Sequence, residues 1–230
     1  KAGEVTGSIT VPVADDAFVG GQPAIENSIV GEPTMDGGVA FEKLETAGAP
    51  SVQVTDEPGS GNPGDPDNQG DAITISIKAD KAEFAENEEQ TFTVSIDKAV
   101  DRDVVVTLDG GKTVTIKANE TEVTYTRPAQ GDDVYQDGAD LSVALEGAKA
   151  ADGAQFENLT LGAAATAKVV DTVDTVTATL SANPTSVAEG GEITYTITLS
   201  NTTGAPLDQH GELTFKLANG EEIVIKAGEV

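Results

Sequence analysis

ITISIKADKAEFAENEEQTFTVSID, residues 73–97, decides the fold. Its apolar residues, Ile73, Ile75 and Ile77 and then Phe92, Val94 and Ile96, alternate with polar ones. A period of two places each set on one face of an extended strand. The same alternation recurs in VVVTL (104–108), TVTIKA (113–118), EVTYTR (122–127) and LSVALEG (141–147), and a further strand pair is expected at 155–161 and 166–170. Turn signals separate them, DGG at 109–111 and DG at 137–138 and 152–153. No segment keeps a helical period over three turns. Seven or eight short strands within about 100 residues predict a β-sandwich.

This unit has relatives on both sides. ITISIKADKAEFAENEEQTFTVSID lies over VTATLSANPTSVAEGGEITYTITLS (176–200), and GGKTVTIKAN (110–119) over NGEEIVIKAG (219–228). Its second half has a partner near the N-terminus. KANETEVTYTRPAQGDDVY (117–135) lies over KAGEVTGSITVPVADDAFV (1–19), and QFENLTLGAAATAKVVD (155–171) over AFEKLETAGAPSVQVTD (40–56). KAGEV stands at residues 1–5 and again at 226–230 because both mark the same point of one repeat.

The expected organisation is therefore all-β, with tandem Ig-like β-sandwich domains arranged end to end and half-domains at both ends. Residues 1–56 read as the C-terminal half of one repeat and 57–70 as a Gly/Pro/Asp-rich linker of extended form. Residues 71–171 read as a complete repeat, and 172–230 as the N-terminal half of the next. A half-repeat cannot bury its apolar face alone. Three outcomes stay open: head-to-tail self-association through complementary half-domains, closure within one chain, or ends left partly frayed.

Composition narrows the function. Forty Asp and Glu against thirteen Lys and Arg give a formal net charge of −27. No basic surface is available to neutralise phosphates, so nucleic acid is not an expected partner. No apolar run is long enough to span a bilayer, so direct membrane insertion is not expected. No stretch reads as a signal peptide, and any export address is expected elsewhere in a longer parent. Without cysteine there is no disulfide, thiolate site or cysteine nucleophile. The single histidine, His210 in LDQHGE, reads as a solvent-exposed turn residue. Catalytic and nucleotide-binding motifs are missing, and no tryptophan offers a sugar platform. An enzyme is not expected.

The acidic residues can simply solubilise the surface, or they can ligate a hard cation. Their placement is repetitive. Paired Asp follow a strand in ADDAF (Asp15, Asp16) and GDDVY (Asp132, Asp133). Junctional Asp recur as Asp56 in VTDE and as Asp171 and Asp174 in VVDTVD, and a lone Glu recurs as Glu86 in FAEN and Glu189 in VAEG. Gathered at a joint between sandwiches these carboxylates repel one another, and Ca²⁺ between them removes that repulsion and stiffens the joint. No EF-hand loop or glycine-rich calcium nonapeptide is present.

VAEGGEITYTITL (187–199), ANGEEIVIKAGE (218–229), PAQGDDVYQDGADLSVALEG (128–147) and FENLTLGAAATAKVVDTVDT (156–175) resemble the Ig-like extender repeats of giant LapA-type adhesins, within the wider group of calcium-dependent RTX adhesins. Weaker copies, ADDAFVGG and FEKLETAGAPSVQVTDE, extend the resemblance over nearly all residues outside 57–70. The resemblance implies a stalk on the bacterial cell surface, anchored at the outer membrane through the rest of the parent, rigidified by calcium and serving adhesion and biofilm formation. It also implies that Asp15, Asp16, Asp132, Asp133, Asp171, Asp174, Glu86 and Glu189 are calcium ligands, and that the partners are neighbouring Ig-like repeats. The enlarged loop 20–38 supports an alternative, a glycan- or protein-binding module. A fibre-forming matrix or surface-layer protein is a third reading.

Overall fold

The alternating segments form strands, and burial follows the alternation. The computed structural model describes residues 5–62 and 64–229. Two short strands come first, β1 (Ile25–Glu26) and β2 (Ser51–Val52). The central region holds β3 (Ala72–Ala79), β4 (Glu83–Ala85), β5 (Gln90–Ile96), β6 (Val104–Leu108), β7 (Lys112–Ile116) and β8 (Glu122–Arg127). It continues with β9 (Asp140–Val143), β10 (Leu145–Ala150), β11 (Asn158–Leu161) and β12 (Ala165–Val170). The last four are β13 (Val176–Asn183), β14 (Thr194–Asn201), β15 (Leu213–Lys216) and β16 (Glu222–Ile225). Among the described residues the only helical element is a 3₁₀ turn at Asp109–Gly111, and no helix is long and apolar enough to cross a membrane.

The chain divides into two compact units. One comprises Lys1–Ser76, Ser95–Val123 and Leu145–Ala163; the other comprises Ile77–Val94, Thr124–Ala144 and Ala164–Val230. In the first unit β6 lies between β10 and β7, antiparallel to both, and β11 runs parallel to the start of β3, with Asn158 opposite Ala72 and Leu161 opposite Ile75. Ile73, Ile75, Val104, Val106, Leu108 and Phe156 are buried there. In the second unit β12 pairs parallel with β4 and antiparallel with β9, and Phe84, Phe92, Val94, Val143 and Val169 are buried. Phe92 packs at 6.3 Å from Phe84 and 6.2 Å from Tyr125, between ring centroids.

Three expectations are corrected. The single strand expected at 141–147 is two strands in different sheets. β9 pairs with β12, and β10 pairs with β6 across a register shift between Leu145 and Gly147, so one alternating run serves two neighbours. Residues 57–70, expected to be extended, turn back on themselves: the Gln69 amide donates to the Pro58 carbonyl and the Gly61 amide to the Glu157 carbonyl. The sequence 1–19 matches β8 and its flanks, yet residues 5–16 form no strand, and Val5 and Ile9 are exposed. β8 has β5 as its neighbour in the sheet order β11-β3-β5-β8, whereas no described strand pairs with residues 5–16. An unpaired strand with one bare face gains too little to offset its ordering entropy.

The C-terminal repeat shows the same asymmetry. β13 and β14 pair over their whole length, and β15 and β16 form a second hairpin, but their faces are open. Phe92 is 0% exposed while its repeat counterpart Tyr195 is 42% exposed; Ile77 is 8% exposed and Leu180 50%. Burial, and not residue type, sets what each position contributes. Phe92→Ala is therefore expected to destabilise the protein by about 3–5 kcal/mol, and Tyr195→Ala by less than ~1 kcal/mol. Urea unfolding of the two variants checks the contrast.

Candidate metal centre

The parallel register of β4 and β12 assembles the second unit's acidic centre. Their last paired residues are Ala85 and Val170, so Glu86 and Asp171 leave adjacent strand ends side by side. Backbone bonds hold Glu86 in place: its amide donates to the Val170 carbonyl, and its carbonyl accepts from the Gly131 amide. Its side chain is 0% exposed. Oε1 accepts from the Thr172 amide at 2.7 Å and the Thr172 hydroxyl at 2.9 Å. Oε2 is buried with no hydrogen-bond partner.

Asp137, in the loop after β8, completes the centre. Carboxylate oxygens of Glu86, Asp137 and Asp171 lie within 4.8 Å of one another. Asp171 Oδ1 accepts from the Asp137 amide at 3.1 Å. Neighbouring Gly138 allows the close approach, because a Cβ there would come within 2.7 Å of the Val169 carbonyl oxygen. Burial, followed by the charges of Asp133, Asp171 and Glu86, holds the Asp137 carboxyl above the usual carboxylate range.

Magnitudes show what such a centre requires. Two carboxylates at this separation repel by roughly 3 kcal/mol at an effective dielectric constant of ~20, against ~1 kcal/mol for a typical hydrogen bond. The Thr172 hydroxyl lies 2.9 Å from Glu86 Oε1 and 2.6 Å from Asp132 Oδ1, and its one proton serves only one of them. A proton or a cation must supply the remaining compensation.

The first unit holds a second acidic centre. Asp15, Asp16, Asp56, Glu57 and Glu157 line a cavity of about 280 Å³. Both oxygens of Asp56 are engaged, by the Gly20 amide at 2.8 Å and the Gly21 amide at 2.6 Å. Gly21 has φ +47°, and a Cβ there would lie 2.8 Å from the Val54 carbonyl oxygen, so glycine permits this close turn. Asp16 Oδ1 accepts from the Phe18 amide, as Asp133 Oδ1 does from the amide of its counterpart Tyr135. Glu157 is 2% exposed and accepts from the Asp71 amide at 2.9 Å. Burial is the main cause that raises its carboxyl to about 7, with the charges of Glu57, Asp56 and Asp15 adding to it. The Asp15 carboxyl is also raised, chiefly by the charge of Glu57. Glu57 Oε2 and Ser60 Oγ are buried without partners.

Of the nine carboxylates singled out in the sequence, the second unit brings Glu86, Asp132 and Asp171 together, with Asp133 in the adjoining turn. The first brings Asp15, Asp16 and Asp56 around its cavity. Asp174 is half-buried and outside the three-carboxylate group. Glu189 is exposed, since the segments that bury Glu86 have no counterparts beside it among the described residues. Asp137, Glu57, Asp71 and Glu157 escaped the sequence reading. Only Glu157 left a signal there, as the acidic member of the repeated Phe-Glu pair. His210 is half-buried and not a free turn residue: Nδ1 lies 2.5 Å from the Gly211 carbonyl and Nε2 2.7 Å from that of Glu229. These two acceptors raise its pKa.

The LapA domain family model matches residues 71–172 and again 174–230. No curated protein matches the chain.

Glu157 gives a pH dependence with a definite sign. Its native pKa, about 7, lies above the ordinary glutamate value of 4.5, so between these values the native state holds a proton that the unfolded chain releases. In chelator, this group's contribution to stability is fully present below pH ~4.5 and is lost as pH rises through about 7. Glu157→Gln is expected to flatten that slope, as measured by thermal unfolding across the window.

Proposed function

The chain belongs to the LapA domain family, and from that premise we propose that it is a calcium-stiffened extender segment of a giant extracellular bacterial adhesin. Membership sets a structural, non-enzymatic role in adhesion and biofilm formation and an extracellular location. The proposal adds the ion, the architecture and the mechanics. Residues 71–171 are read as one complete Ig-like sandwich, 1–56 and 172–230 as halves of its neighbours, and 57–70 as the connector. Stacked end to end, such sandwiches hold a distal binding domain away from the cell surface, to which the rest of the parent is fixed through the outer membrane.

The buried, unpartnered Oε2 of Glu86 in a group of three carboxylates carries this reading. A donor set made only of oxygen, with high negative charge and unequal reach, suits Ca²⁺, which accepts six to eight oxygens in flexible geometry. Glu86, Asp137 and Asp171, with Asp132 and Asp133 beside them, are proposed as one site. Asp15, Asp16, Asp56, Glu57 and Glu157 are proposed as another. Glu189 is read as completing an equivalent site once the back half of its own repeat covers it, and Asp174 as a further carboxylate of the junction that holds Asp171.

The open faces indicate the partner. Phe156 is 3% exposed and its counterpart Phe41 72%; Phe92 is buried where Tyr195 is not. The two open sets correspond to the two halves of one repeat. They are read as docking surfaces for a neighbouring repeat, supplied by the array or by a second copy joined head to tail.

Calorimetric Ca²⁺ titration of the 230-residue chain tests the proposal. Binding with a raised unfolding temperature is expected, and Glu86→Gln should remove one binding event. No heat and no thermal shift in millimolar Ca²⁺ would overturn it. Sedimentation that grows with concentration is expected from docking between copies.

A further inference from the structure

The repeat counterparts Phe18 and Tyr135 are fixed in different ways. Phe18, 3% exposed, stacks on Phe156 with ring centroids 4.7 Å apart and an interplanar angle of 26°. The Arg102 guanidinium lies 4.7 Å from the centre of the Phe18 ring. The same guanidinium reaches Asp16 Oδ2 at 3.4 Å and Asp152 Oδ2 at 3.5 Å. Backbone bonds close the contact on both sides: the Val19 amide donates to the Gln155 carbonyl at 2.8 Å, and the Glu157 amide to the Ala17 carbonyl at 3.1 Å. All these residues lie in the first unit.

In the second unit the corresponding Tyr135 has no such enclosure. It is half-buried, and its hydroxyl accepts from the Gln209 amide at 2.9 Å and donates to the Pro206 carbonyl at 3.4 Å. Among the described residues no Lys or Arg pairs with Asp132, Asp133, Asp137 or Asp171. Asp133 is the counterpart of Asp16, so the first joint, the repeat junction at Asp56 in the first unit, has an internal cation at a position where the second joint, the junction at Asp171 in the second unit, has none among the described residues.

We propose that Arg102, clamped between Asp16, Asp152 and the Phe18 ring, is a built-in cation that keeps the first joint closed when calcium is withdrawn, so that only the second joint is a calcium-controlled hinge. The proposal rests on the cation reading above and specifies its regulation. Its physical basis is the difference in what ordering depends on. The first joint is held by a buried aromatic stack, a guanidinium lying over it and reaching two carboxylates, and a pair of backbone bonds. The turns of 57–70 add to it through the Gly61 amide and the Asn68 side chain, both donating to the Glu157 carbonyl. At the second joint the contact is held by the Tyr135 hydroxyl and by the Thr172 amide and hydroxyl, the latter two bonded to the very carboxylates, Glu86 and Asp132, whose mutual repulsion rises when the ion leaves.

Hydrogen–deuterium exchange of the full chain in saturating Ca²⁺ and in excess chelator tests this. Chelation is expected to abolish protection of the Asp137 and Gln209 amides and to leave that of Val19 and Glu157 intact. In Arg102→Gln, Val19 and Glu157 should lose protection in chelator and keep it in Ca²⁺. Arg102→Lys, which keeps the charge without the planar stacking group, should lose part of it. Loss of protection at both joints in the wild-type chain overturns the latch and leaves the cation reading standing. No change at either joint overturns both. An Arg102→Gln chain that exchanges as the wild type does removes Arg102 from the role.

Discussion

A carboxylate taken out of water needs compensation, and the position of Glu86 makes that need structural. Parallel pairing of β4 with β12 leaves Glu86 and Asp171 no freedom to separate, because both backbones are fixed in register up to the preceding residue. Two bonds from Thr172 satisfy one Glu86 oxygen and leave the other bare. The strand ends, the loop carrying Asp137 and the segment entering the next repeat therefore share one electrostatic constraint. The strongly acidic composition is bearable where carboxylates face solvent and demanding where the fold gathers them.

The strands were legible in the sequence because their burial is an alternation and alternation is local. Gln90–Ile96 shows it most plainly, with Phe92, Val94 and Ile96 inward and Thr91, Thr93 and Ser95 less buried. Repetition also pointed to Glu86, Asp132 and Asp171 as a group. What stayed hidden depends on neighbours distant in the chain. Asp137 is one more loop carboxylate until the backbone brings its amide to Asp171. Glu57 replaces the Thr172 of the next junction, so a search for residues common to both junctions passes it over. Glu189 illustrates the opposite error: identical in type and place to Glu86, it is exposed because burial belongs to the covering segments and not to the residue.

Repeats that share a sequence pattern need not share energetics. The aromatic position after the paired Asp is a phenylalanine under a guanidinium in one unit and a hydrogen-bonding tyrosine in the other. One prefers a closed, dry contact, and the other tolerates water at its hydroxyl. Small substitutions at equivalent positions thus let an array of similar domains respond unequally to one solution condition.

The connector after Asp56 has a mechanical meaning beyond its hydrogen bonds. The Pro58 carbonyl and the Gln69 amide are 3.0 Å apart, yet the chain between them, drawn out at roughly 3.3–3.6 Å per residue, would reach on the order of 40 Å. That contour length is stored behind a handful of turn bonds, with no sheet to be torn to release it. Under tension such a loop is slack held in reserve, able to lengthen the chain as its own turns are drawn straight.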